Sequence, residues 1–377
     1  MPTDKTLPLP ARAAVAPAAD SSTGRHAYVD VFRGLLIAHM ALDHASLMFN
    51  AGRAGEEIAG AVAPVFTDLW QFLARFTGVP VAPGFFFMAG FMVALTSLAR
   101  EQRGVPAAEV THRLVVRGLV LILVDALVMG LPRALMGFYS FAVLSSVGAA
   151  LILLAALRHL PGPWLLGATV AVLVLHPLLD LSALPLALQA VLQVPVRTGA
   201  FRSLYPVLPW CAVLVVGYVV GRDALTRERP LRLWLLLGAL CLLLFFAVRL
   251  HGGYGNGYPT APIGTQAFWL LAKYPPDLPF LAWALAATFV GLAAVRWATR
   301  QGLPALLQPL AVFGRVPFFF YVVHFYVLGL ASAVVRARFS LAVVVLIWLL
   351  LLAVMLPACA WYHDKKRERP NRLTRYF

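Results

Sequence analysis

The chain has 377 residues, of which 61% are hydrophobic and only 12% charged, and its mean hydropathy is +0.82. Soluble domains carry about twice that share of charge, which excludes a water-soluble globule and predicts an all-α polytopic integral membrane helix bundle. The formal net charge of +15 does not indicate nucleic acid, because the basic residues fall in short clusters between apolar runs.

Residues 1–27, rich in Ala, Pro, Ser and Thr, read as a disordered tail. The first apolar run lies too far in and is too long for a signal peptide. A span needs about 20 apolar residues. Such segments recur at 28–49, 82–99, 114–131, 138–157, 163–181, 204–221, 231–250, 279–298, 313–335 and 339–361, about ten transmembrane helices forming one domain over 28–361. The short apolar stretch 184–196, holding Pro185 and Pro195, reads as interfacial or re-entrant. A basic tail follows over 362–377. Cys211, Cys241 and Cys359 are scattered, so neither a metal site nor a disulfide framework is expected.

With ten spans both termini share a side. That side carries 20 Lys and Arg residues against 9 on the other, with Arg33 and Arg315 left inside helix ends. The bias predicts cytoplasmic termini. Three long loops, 50–81, 182–203 and 251–278, then lie on the far side. Their aromatics, Gly and Pro, as in HGGYGNGYP (251–259), exceed what simple connection requires.

Ionisable residues inside a membrane are costly and default to functional hypotheses. The first span, YVDVFRGLLIAHMALDHASLMF (28–49), holds Asp30, Arg33, His39, Asp43 and His44. At about 100° per residue, Arg33 and His44 come within about 20° of alignment, Asp30 joins the same stripe, and Arg33 and His44 are separated by about 16.5 Å along the axis. His39 and Asp43 are expected to form an i,i+4 pair on another face. His324 in span nine needs a partner. His176, before Pro177, reads as structural. Asp125 must pair, with Arg133 or Arg117 as the candidates. Asp68 opens a helix (TDLW) and reads as a cap. The FFF runs at 85–87 and 318–320 read as core or lipid-facing packing.

The stretch RHAYVDVFRGLLIAHMALDHA (25–45) resembles the opening of the heparan-α-glucosaminide N-acetyltransferase-like bacterial membrane family. The resemblance continues in FTDLWQFLARFTGVPVAPGFFFMAG (66–90), SLYPVLPWCAVLVVGYVVGR (203–222), KYPPDLPFLAWAL (273–285), FGRVPFFFYVVHFYVLGL (313–330) and the tail LTRYF. The spacing of Arg33 and His44 is also similar to that of the Arg and His in the first helix of the wider acyltransferase-3 superfamily. One departure stands out: the 50–68 loop, a second place for a catalytic histidine, contains none.

The resemblance implies acetyl transfer from acetyl-CoA to an extracytoplasmic saccharide amine or hydroxyl, in a bacterial inner membrane and without metal. Candidate catalytic residues are then His44, His324 and Asp68, with Asp68 promoted from cap by the resemblance. Arg33 and Asp30 are candidates for holding acetyl-CoA. The expected partners are acetyl-CoA, a glycan or small saccharide and the bilayer, with no nucleic acid; self-association is left open. Thioester acyl transfer needs a base, oxyanion donors and a grip on the anionic carrier, and the 16.5 Å estimated between Arg33 and His44 compares with the reach of a pantetheine arm. A lipid or glycan transporter would also use buried Asp, Arg and His, but no repeated halves are visible.

Overall fold

The computed structural model describes residues 27–196, 199–226 and 230–368. Except for Ala27, the expected N-terminal tail lies outside the described residues, as do residues 369–377 of the basic tail. In chain order the elements are α1 (Ala27–Phe49), α2 (Leu69–Phe76), α3 (Val81–Glu101), α4 (Ala107–Val124), α5 (Leu131–Leu135), β1 (Tyr139–Phe141), α6 (Val143–Leu157), α7 (Gly162–Leu175), α8 (Leu186–Leu192), β2 (Phe201–Ser203), α9 (Val207–Thr226), α10 (Pro230–His251), α11 (Leu278–Ala298), α12 (Gln308–Arg315), α13 (Pro317–Val335) and α14 (Leu341–Glu368). A π-helical turn, Asp125–Met129, continues α4.

This is a helical membrane bundle, and each predicted span falls on a helix. Among the described residues six helical stretches are apolar and long enough to cross a membrane, while α6 and the run from Gly162 to Leu178 are apolar but shorter. α1 and α4 are interrupted by Asp30, Arg33 and Asp43, and by Glu109, Arg113 and Arg117, respectively. Three boundaries differ from expectation. The 313–335 span is broken at Val316 (φ −130°, ψ 52°), because the residue before Pro317 is pushed out of the helical region. The 138–157 span begins as strand β1, and α14 runs on to Glu368, into the expected basic tail.

Lipid gives helices no hydrophobic reason to associate, so close backbone approach at small residues has to supply the packing. Gly90 of α3 and Gly217 of α9 make one such crossing: a Cβ at Gly90 would stand 1.8 Å from the Leu214 carbonyl oxygen, and one at Gly217 would stand 1.9 Å from that of Phe87. Gly34 of α1 and Gly314 of α12 make another, with added Cβ atoms 1.8 Å from the carbonyl oxygens of Leu310 and Asp30. α1 therefore sits centrally, against α3 and α11 on one side and α12, α13 and α14 on the other.

The bundle has two polar faces. At the first, the ends of α3 and α6 are tied by Arg158 to Glu101 at 3.0 Å. At the second, the loop after α1 meets the α13–α14 junction, where Ala51 N–H donates to Phe339 O at 2.9 Å. Here too Lys273 N–H donates to Glu57 O at 2.9 Å, joining the 50–68 loop to the loop before α11. Strands β1 and β2 pair in parallel, with Ser140 opposite Arg202. The FFF runs supply core: Phe86, Phe87 and Phe320 are fully buried.

Candidate active site

A cavity of about 520 Å³ opens between α1, α3, α4, α6 and α13. Arg33 and Arg117 line it toward the first face, and Asp43, His44, Arg133, Arg202 and Lys273 line it toward the second. The stretch between is apolar, with Met40, Met88, Met92 and Phe318 among its walls. Arg33 and His44, spaced about 16.5 Å along α1, line one and the same cavity.

His44 and His324 meet across α1 and α13. Nδ1 of His44 lies 2.9 Å from Nε2 of His324, the rings are parallel to within 5°, and Nδ1 of His324 lies 2.7 Å from the Phe320 carbonyl oxygen. That carbonyl only accepts, so His324 Nδ1 donates to it. In the neutral ring His324 Nε2 then carries the lone pair and accepts from His44 Nδ1–H. The chain of bonds leaves His44 Nε2 as the basic nitrogen, and among the described residues that atom has no hydrogen-bond partner. His324 is fully buried at 0% exposure and does not line the cavity; its contact with the site runs through His44.

Asp43 is not paired with His39 as expected. Arg53 Nη1 and Arg75 Nη1 donate to Asp43 Oδ1 at 2.9 and 2.7 Å, and Arg75 also reaches Glu56 at 2.9 Å and Glu57. Two permanently charged guanidinium groups, from the loop and from α2, converge on the carboxylate. His39 instead lies 3.4 Å from Thr77 Oγ1. This network clamps the 50–68 loop over the His44 end of the cavity. In that loop burial disfavours the Glu56 carboxylate, but Arg75, Lys273 and Arg53 outweigh it and hold its pKa below the usual value. For Lys273 burial favours the neutral amine, but Tyr205, Asp43 and Glu56 outweigh it together against Arg75, so its pKa lies above the ordinary lysine value.

The other candidates separate. Asp30 is 3.7 Å from Arg33 and 3.9 Å from Arg315, and it does not line the cavity. Asp68 is exposed and caps α2, accepting from Gln71 N–H at 2.9 Å, also away from the cavity. Buried His176 bonds the Leu173 carbonyl at 3.2 Å, a structural contact. Asp125 accepts from the backbone N–H of Ala142 and Ser145 at 3.1 and 2.9 Å, satisfying the start of α6, and stands 3.9 Å from Arg133, one of its two expected partners. Arg117, Arg133, Arg202 and Lys273 line the cavity although none is among the site residues expected from the sequence, where they set sidedness and, for Arg117 and Arg133, offer partners to Asp125. The signal was their place beside interrupted spans and in loops richer than connection needs.

The family described as heparan-alpha-glucosaminide N-acetyltransferase, catalytic, matches residues 25–243, more than half of the chain. The chain belongs to that family. The match includes Arg33, His44, Arg117, Arg133 and Arg202 and stops before Lys273 and His324. No curated protein matches the chain. Family membership, with the helical bundle, makes it a membrane acetyltransferase.

Proposed function

We propose that the protein takes an acetyl group from acetyl-CoA at the Arg33 face, the cytoplasmic face of a bacterial inner membrane, and delivers it to a saccharide amine or hydroxyl at the opposite face. The observation that carries this reading is the single cavity joining Arg33 and Arg117 to His44. The 20 to 9 distribution of basic residues supports the orientation. Arg33 and Arg117 would hold the anionic groups of CoA by charge-assisted hydrogen bonds, and the apolar middle would accept the pantetheine arm.

His44 Nε2 takes a proton from the acceptor's N–H or O–H as that atom attacks the thioester carbonyl. The Lys273 ammonium, at the same end of the cavity and kept protonated, supplies positive charge where the tetrahedral oxyanion forms. The C–S bond then breaks, the acetyl group stays on the acceptor, and the CoA thiolate takes the proton from the His44 imidazolium. His324 holds His44 in the tautomer that presents Nε2, while Asp43 and its arginines fix the floor of the site.

The test is thiol release from acetyl-CoA by the protein in detergent, with glucosamine as acceptor. Acceptor-dependent release that saturates with acetyl-CoA is expected. No saturable CoA binding at millimolar concentration would overturn the reading and favour a transporter.

A further inference from the structure

The second face of the cavity holds more positive charge than acetyl transfer requires. Arg202, on β2, has no carboxylate within salt-bridge distance among the described residues. Its Nε is buried without a hydrogen-bond partner, and its guanidinium carbon lies over Phe138, 3.7 Å from the ring centroid. Arg133, on α5, also lines the cavity; its Nη1 donates to Ser140 Oγ at 2.7 Å and stands 3.9 Å from Asp125. The parallel pairing of β1 with β2 sets Ser140 opposite Arg202, so one small sheet brings both arginines to the same wall. Asp125 is largely spent on the α6 backbone, and its second oxygen, Oδ1, has no hydrogen-bond partner.

A buried guanidinium nitrogen without an acceptor is costly unless a ligand supplies one. The planar fork of arginine suits a carboxylate or phosphate, which can bind two N–H groups at once. Contact with the Phe138 ring holds the guanidinium in place by cation–π attraction. The Asp43 cluster cannot serve as the acceptor, because its carboxylate already takes Arg53 and Arg75.

We propose that Arg133 and Arg202 form a second anion site, distinct from the Arg33–Arg117 end, which binds a phosphate or carboxylate carried by the acceptor. The acceptor is then an anionic saccharide whose nucleophile reaches His44 while its charged group rests on β1 and β2. The inference rests on the acyl-transfer reading above, but the site itself can be tested without turnover.

The probes are glucosamine, glucosamine 6-phosphate and 2-amino-2-deoxyglucuronate. In the intact protein, kcat/KM should be higher for either anionic sugar than for glucosamine. The ratio of anionic to neutral kcat/KM should fall roughly 10- to 100-fold in Arg202→Ala, the usual worth of a hydrogen bond to a charged group, and Arg202→Lys should recover part of it. Arg133→Ala should lower the same ratio. A ratio near one in the wild type, or one unchanged in both alanine variants, overturns the proposal. So does a loss of CoA affinity in Arg202→Ala, which would give the site to the donor. Direct binding of glucosamine 6-phosphate separates the two readings. Saturable binding lost in Arg202→Ala, with no thiol release from any sugar, keeps the anion site and removes acyl transfer. Absence of both binding and selectivity removes the anion site.

Discussion

At the Arg33 end of the cavity the charges are held loosely. Arg33 has Asp30 at 3.7 Å, and Arg117 Nε is buried with no hydrogen-bond partner. At the His44 end the groups on and around α1 are braced, with Arg202 Nε standing apart as buried and unpartnered. Asp43 accepts from two arginines, one of which also reaches two glutamates, and His44 is bonded to a histidine that is itself bonded to a carbonyl. A site that stabilises a transition state gains from groups already fixed in place, since none must reorganise during reaction. A site that admits and releases a long anionic carrier gains from side chains free to adjust. The two ends differ in the way a delivery end and a chemical end should differ.

The bracing is broken most severely at Arg75. Among the described residues, Arg75→Ala leaves Glu57 without its ion-pair partner and Asp43 and Glu56 with Arg53 alone, and should cost roughly 3 kcal/mol of stability. Thermal unfolding in detergent checks this, and an unchanged midpoint would show that the network is not a brace. At the loose end, Arg33→Ala should weaken acetyl-CoA binding about tenfold, near 1.4 kcal/mol, with little loss of stability. Equilibrium CoA binding measures it, and an unaltered affinity would detach Arg33 from the donor. Asp68→Ala, outside both ends, should cost only about 1 kcal/mol as a lost helix cap, and Asp68→Ser should restore most of it. A large fall in kcat in well-folded Asp68→Ala would instead return Asp68 to the catalytic set.

The Arg33–His44 stripe was legible because the helical period turns spacing directly into a shared face. The helix bundle was legible because apolar runs of span length leave few alternatives. The contact of His44 with His324 was not legible, since it joins residues 280 apart through helix packing that no local rule encodes. The i,i+4 rule pairs His39 with Asp43 because it sees only one helix, whereas Arg53 and Arg75 arrive from a loop and a second helix. The break before Pro317 was visible in principle, as proline constrains the residue before it. Pairing of β1 with β2 was hidden by the brevity of both strands, and with it the meeting of Ser140 and Arg202 on one wall.

The central claim is that His44 Nε2 is the base. The measurement that tests it most directly is the acetyl-transfer rate at saturating acetyl-CoA, compared between the wild type, His44→Ala and His39→Ala in well-folded protein. His44→Ala should slow transfer by about 10²–10⁴-fold with CoA affinity nearly intact, while His39→Ala should stay close to the wild-type rate. Wild-type transfer by His44→Ala, or its abolition by His39→Ala alone, would contradict the assignment.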